Sequence, residues 1–144
     1  MNLSVFGIGY VGCVSAACFA KEGHDVTGVD VNPTKVEIIN SGNSPIVEPG
    51  IGELMQEAVN SGRLRATTNA AEAVNTSAVS LVCVGTPSNA NGSLDLRYVT
   101  RVCEEIGAAL RTKKERHVVV LRSTMLPGTI ENVVVPTLAK TSGK

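Results

Sequence analysis

Leu3-Ser4-Val5-Phe6-Gly7-Ile8-Gly9-Tyr10-Val11-Gly12, a helix-like stretch to Lys21, and a second apolar run closing on Gly28-Val29-Asp30 decide the fold. The order strand, glycine turn, helix, strand, acidic tip is that of a dinucleotide-binding βαβ unit. In such a unit Gly7 permits the tight turn, Gly9 lets the backbone approach a pyrophosphate, and Gly12 lets helix and strand pack closely. The helix from Tyr10 would aim its free N–H groups and positive dipole end at that pyrophosphate. Asp30 lies where a carboxylate accepts from the adenosine ribose; it would repel a 2′-phosphate, so NAD rather than NADP is expected. The bland alternative is a tight strand–helix connection with no ligand and Asp30 as a solvated strand end.

A chain of 144 residues accommodates one domain with a proper core and is too short for two ordinary ones. Thirteen Lys and Arg balance thirteen Asp and Glu, so no net field draws in nucleic acid or an anionic membrane. Two Phe, two Tyr and no Trp leave few platforms for base stacking, and give the core to Val, Ile, Leu and Ala. Cys13, Cys18, Cys83 and Cys103 form no C-x-x-C pair and stand at no ligand spacing from His24 or His117, so no metal site is expected. Each falls in an apolar pattern and reads as a small buried hydrophobe in a reduced, cytoplasmic protein. The apolar N-terminus lacks a preceding Lys or Arg and contains glycines, unlike a signal peptide, and no segment has the length of a membrane span.

Helices are expected over Tyr10–Lys21, with Val11, Val14, Cys18 and Phe19 as its apolar stripe, and from Pro33, capped by Asn32, to about Ser41. Lys35 lies one turn into the second, near Asp30; its ammonium either reaches the ribose or faces solvent, and composition alone favours solvent. Ser41-Gly42-Asn43-Ser44-Pro45 breaks that helix, and another fits Ile51–Ser61. This insertion before the third strand, Leu64–Thr67, is decoration or a substrate or interdomain surface, and Glu48 within it is a functional candidate or an ordinary loop carboxylate. A short helix, Ala70–Val74, and a central strand, Val79–Val84, follow. Thr86 then stands at a strand carboxyl end, where open parallel sheets bind ligands. Asp95 caps an amphipathic helix Leu96–Leu110; the basic Arg111–Arg116 reads as a solvated helix end, and His117–Leu121 as the fifth strand, with Arg122-Ser123-Thr124 at its tip. A last helix restarts near Thr129, is interrupted at Pro136, and gives way to a loop at Thr141–Lys144. The fold class is therefore α/β, a Rossmann-type doubly wound parallel sheet with helices on both faces.

Phe6-Gly7-Ile8-Gly9-Tyr10-Val11-Gly12, Gly28-Val29-Asp30, Ser44-Pro45-Ile46-Val47-Glu48-Pro49-Gly50, Gly62-Arg63-Leu64, Gly85-Thr86-Pro87-Ser88, Asp95-Leu96 and Arg122-Ser123-Thr124 with Pro127-Gly128-Thr129 occur in order along almost the whole chain. Together they resemble the N-terminal domain of the nucleotide-sugar 6-dehydrogenases, the group that contains UDP-glucose and GDP-mannose dehydrogenases. Ser-Pro-Ile-Val-Glu-Pro-Gly and Val-Gly-Thr-Pro-Ser are similar to the GDP-mannose branch. The resemblance implies NAD held by Tyr10, Val11, Asp30, Lys35, Thr86 and Thr124, which reverses the solvent reading of Lys35. It also implies oxidation of the sugar C6 alcohol to a carboxylate in two hydride transfers through a cysteine thioester, with GDP-mannose preferred to UDP-glucose as substrate. The GDP-mannuronate so formed would feed alginate-type polysaccharides, and the complete enzyme is expected to be a homo-oligomer. The family's nucleophilic cysteine, in a Gly-Gly-Ser-Cys context, is not among the four cysteines here. Residues 1–144 are thus expected to be the NAD-binding domain, with the catalytic and C-terminal substrate domains outside this chain and no catalytic residue within it, save water positioning by Thr124. A non-catalytic NAD-sensing regulatory domain or a ligand-free structural module are the competing readings.

Overall fold

The computed structural model describes residues 1–144. Five parallel strands, β1 (Asn2–Phe6), β2 (Asp25–Val29), β3 (Leu64–Thr67), β4 (Val79–Val82) and β5 (Val118–Leu121), form one sheet in the order β3-β2-β1-β4-β5. On one face lie α1 (Tyr10–Lys21), α2 (Pro33–Asn40) and α3 (Ile51–Asn60); on the other lie α4 (Ala70–Thr76), α5 (Arg97–Leu110) and α6 (Val135–Ser142). The order reverses between β1 and β4, the switch point at which doubly wound sheets bind ligands. Phe6, Val29, Val82 and Leu121 stand at one level in the register, so the residues after them share a rim.

The α1 face of the core is built from small side chains. Gly12, Cys13, Ser15, Ala16, Ala17 and Ala20 are the buried residues of α1, and they meet Ile51, Met55 and Ala58 of α3 over Leu3, Val5, Val26 and Leu81. The expected stripe is therefore turned the wrong way: Val11, Val14 and Cys18 point outward and are exposed, and Phe19 is half-buried. The cause is distance. A Cβ on Gly12 would overlap the Gly7 carbonyl oxygen, so α1 rides too close to the β1 turn for large residues to fit beneath it. Cys18 corrects the expectation for cysteines as well; Cys13 and Cys103 are buried and Cys83 is half-buried, but Cys18 is at the surface. The inserted helix α3 is a core element and not decoration.

The basic stretch after α5 is exposed, as expected of a solvated end, except at one residue. Lys113 is 8 % exposed and its ammonium donates to the carbonyls of Val74 (2.7 Å), Asn75 (3.3 Å) and Ser77 (2.5 Å), closing the C-terminus of α4. At the other end of the domain, Pro136 does not interrupt the last helix: a π-helical turn, Ile130–Val134, leads into α6 with Pro136 in its first turn. Thr141 and Ser142 belong to α6, and Gly143 ends it in the left-handed conformation, φ 71°. The ladder of β4 stops at Val82 instead of Val84.

A ring of hydrogen bonds fills the amino end of the sheet. His117 Nδ1 faces the Ser77 carbonyl (3.2 Å), which fixes the neutral ring's proton on that nitrogen, and Nε2 then accepts from the Ser80 hydroxyl (2.8 Å). Ser4 bridges the hydroxyls of Ser80 (2.7 Å) and Ser77 (3.0 Å). Burial, reinforced by the Lys113 charge, lowers the His117 pKa from its ordinary 6.5. The unfolded chain thus binds a proton more readily than the folded one, so this contribution is complete above about pH 6.5 and is lost as pH falls toward the folded pKa. Urea midpoints measured from about pH 7 down to pH 5 should fall, and His117→Gln should flatten that fall. Lys113→Met should cost about 1–3 kcal/mol in the same assay, because three carbonyls lose their donor.

Candidate functional site: the carboxyl rim of the sheet

The glycine turn, Asp30 and the tips of β4 and β5 all reach this rim. Gly7 has φ +89°, and its own Cβ position would lie 2.8 Å from Val84 Cγ1; only glycine suits both the backbone and the gap. Gly9 is different, with φ −89° and nothing within 4 Å of the place a Cβ would take. Its bare Cα leaves open space above the turn. The first turn of α1 has no side-chain cap, whereas Asn32 caps α2 and Asn69 caps α4. The amides of Tyr10 and Val11 are therefore presented at the rim, and the Tyr10 hydroxyl donates to the Val47 carbonyl (3.3 Å).

Asp30 joins the turn to the second strand. Its Oδ2 accepts from the Ile8 N–H (2.9 Å) and its Oδ1 from the Asn32 N–H (3.0 Å). Lys35 Nζ lies 3.8 Å from Oδ2, with its side chain still 38% exposed, so Lys35 stands between the carboxylate and solvent. Each carboxylate oxygen retains lone pairs for further donors. Beside Gly7 and Asp30 a mainly apolar pocket of ≈ 110 Å³ opens, walled by Val31, Val84, Tyr98 and Val102, with Arg101 and Glu105 at its edge. Sequence reading missed the α5 side of this pocket. Its one signal was Tyr98, an aromatic beside the core residue Val99, with Arg101 and Glu105 one and two turns on.

At the other end of the rim, the Thr86 hydroxyl donates to the Thr124 carbonyl (2.6 Å) and Ser123 to the Val84 carbonyl (2.6 Å). These bonds lock the tips of β4 and β5 together. Asp95 accepts from the Arg97 N–H (3.0 Å) and is clasped by its guanidinium, which holds the carboxyl below the usual carboxylate range. α5 starts at Arg97, one residue later than expected, with Leu96 instead of Asp95 at its N-cap, and Asp95 N–H ties back to the Pro87 carbonyl (2.7 Å). Glu48 is exposed near the outer side of α1 and does not join the rim.

Three of the four thiols are held protonated. Burial raises the pKa of Cys13 and Cys83, the latter against the pull of Arg122, and takes Cys103 to about 11. None of these three offers a thiolate at neutral pH. No group of three or more His, Cys, Asp or Glu side chains is arranged to hold a metal, and no helix is long and apolar enough to cross a membrane.

An all-parallel sheet reversing at a glycine turn, with a carboxylate at the tip of the neighbouring strand, defines a dinucleotide-binding domain of the Rossmann type. The chain belongs to the UDP-glucose/GDP-mannose dehydrogenase family, whose NAD-binding domain model matches residues 1–144. It is 57% identical over all 144 residues to a GDP-mannose 6-dehydrogenase of Azotobacter vinelandii, and 42% identical to a UDP-glucose 6-dehydrogenase of Haloferax volcanii. A crystal structure of a ternary complex of GDP-mannose dehydrogenase from Pseudomonas aeruginosa superposes on the whole chain with a TM-score of 0.99 at 56% identity. In each of these three the chain spans 33% of the relative's length.

The second and third glycines of the turn, Gly9 and Gly12, separate folding from binding. Gly12→Ala should destabilise the domain by about 1–3 kcal/mol, because α1 must move off the Gly7 carbonyl. Gly9→Ala should leave the thermal midpoint unchanged and weaken NAD binding by about tenfold or more in calorimetry, because its methyl group enters only the space above the turn.

Proposed function

We propose that this chain is the NAD-binding domain of a GDP-mannose 6-dehydrogenase, and that the catalytic and substrate domains of that enzyme lie outside it. The observation that carries the substrate is the whole-chain identity of 57% to a GDP-mannose enzyme, against 42% to a UDP-glucose enzyme. The bound nicotinamide supplies a hydride acceptor for oxidation of the sugar alcohol. The residues of this chain bind, orient and shield. Gly7, Gly9 and Gly12 shape the turn, and the Tyr10 and Val11 amides receive the pyrophosphate. Asp30 accepts from the adenosine ribose while Lys35 neutralises it, and the pocket between Val31 and Tyr98 takes the adenine. Thr86 and Thr124 border the nicotinamide end, where Thr124 helps to position a water. The open space at Gly9, the uncapped start of α1 and the free lone pairs of Asp30 support this fit. The product class is a nucleotide uronate, a donor for an acidic polysaccharide of the alginate type, made in the cytoplasm by a homo-oligomer.

Calorimetry of the 144-residue chain should show NAD binding and NADP binding weaker by about tenfold or more, since a 2′-phosphate would meet the Asp30 carboxylate. Asp30→Ala should weaken NAD binding by a similar factor, and binding unchanged by it would remove Asp30 from the site. Purified chain mixed with NAD and GDP-mannose should form no NADH, for want of an activated cysteine; NADH formation would overturn the division of labour proposed here.

A further inference from the structure

α5 presents two faces. Val99, Cys103 and Ile106 are buried in the core, whereas Tyr98, Arg101, Val102 and Glu105, spaced i, i+3, i+4 and i+7, share the neighbouring face and wall the apolar pocket beside Gly7 and Asp30. Arg101 and Glu105 also wall a second cavity of ≈ 530 Å³, whose far side is Thr68, Asn69 and Ala70. The pair therefore stands where the apolar pocket ends and a more polar one begins. The far side of that second cavity is held in place. On the outer edge of β3, where a further strand would pair, the Asn40 side chain accepts from the Ala66 N–H (2.8 Å) and donates to the Ala66 carbonyl (3.0 Å). The Thr67 hydroxyl then accepts from the Asn69 N–H (3.0 Å).

Within the pair, the Arg101 Nε–H donates to Glu105 Oε1 (3.2 Å), while Glu105 Oε2 and the two terminal nitrogens of the Arg101 guanidinium make no hydrogen bond within the chain. The two side chains are 64% and 34% exposed, so these free groups are open to a ligand. A carboxylate oxygen only accepts, and it suits a ligand edge that carries an N–H. Adenine supplies one in the required place. With the ribose at Asp30, the base departs from the ribose at N9 and passes between Val31 and Tyr98. Its exocyclic amino group, N6, lies at the opposite end of the purine and is directed to Arg101 and Glu105. That edge offers the N6 donor beside a ring nitrogen that accepts, and a carboxylate steadied by a guanidinium is its complement.

We propose that Glu105 reads the base of the dinucleotide by accepting a hydrogen bond from its N6 amino group, and that the cavity beyond admits substituents on that nitrogen. The proposal deepens the cofactor reading of this site and rests on it. Arg101 is a positioning residue, since it holds Oε1 and leaves Oε2 for the ligand. One N–H satisfies Oε2, and the other is directed to the open space before Thr68 and Asn69. The site thus selects adenine bases that keep at least one hydrogen on N6. A base that keeps none sets an apolar edge against a carboxylate and forfeits a charge-assisted hydrogen bond.

The test is calorimetry of the 144-residue chain with NAD, with its N6-methyl derivative, which keeps one N–H, and with its N6,N6-dimethyl derivative, which keeps none. The first two should bind within about threefold of each other, and the third should bind about tenfold or more weaker. Glu105→Ala should weaken NAD by about tenfold and abolish the step between the two methylated forms, with the melting midpoint nearly unchanged because the side chain is part exposed. Glu105→Gln, which keeps an acceptor oxygen, should restore the step. Equal affinity for all three ligands would overturn the proposal, and so would a step that survives in Glu105→Ala or a loss complete at the first methyl group. Absence of NAD binding to the folded chain would overturn the cofactor reading and this proposal with it. NAD binding that is weakened by Asp30→Ala but uniform across the three ligands would leave the cofactor reading standing and overturn the role of Glu105 alone.

Discussion

The approach of Gly12 to the Gly7 carbonyl sets the geometry of this domain. It holds the first helix against the turn that precedes it, so the helix can bury only Gly, Ala, Ser and Cys. The same approach keeps the start of that helix at the level of the strand ends, where its amides are presented beside Asp30. One backbone contact thus links core composition to the placement of the binding turn, and a side chain at position 12 would disturb both together.

Asp30 extends the coupling across the sheet. By accepting from Ile8 it ties the glycine turn to the tip of β2, and by accepting from Asn32 it orders the entry to α2, from which Lys35 turns back toward it. The carboxylate proposed to hold the ribose is therefore a structural group as well. Its orientation is fixed by two backbone donors before any ligand arrives, which lowers the ordering cost of binding.

Much of the architecture was legible in the residues. The alternation of strand and helix patterns, the glycine spacing and the cap at Asn32 are local signals, and local physics produces those elements. The apolar stripe of α1 misled because periodicity reports which residues share a face and not how near the neighbouring backbone lies; Val11, Val14 and Cys18 share a face that the close contact turns outward. Lys113 was equally hidden, since nothing around Arg111–Arg116 shows that the carbonyl end of α4 lies within reach. Tyr98, Arg101 and Glu105 sit on a helix whose core stripe already accounted for it, so the single signal on their face, the aromatic Tyr98, stood out too little to mark a pocket. The place of Asp30, Thr86 and Thr124 on one rim was legible because strand ends of a parallel sheet converge by topology, whatever their side chains do.

The amide of Asn40 has a consequence for where such a sheet can grow. In the language of polymers, it terminates one end of the growing sheet, while the β5 end stays living. An added strand would meet free backbone groups on the side of Thr124, and on the side of Lys35 it would first have to displace the Asn40 amide.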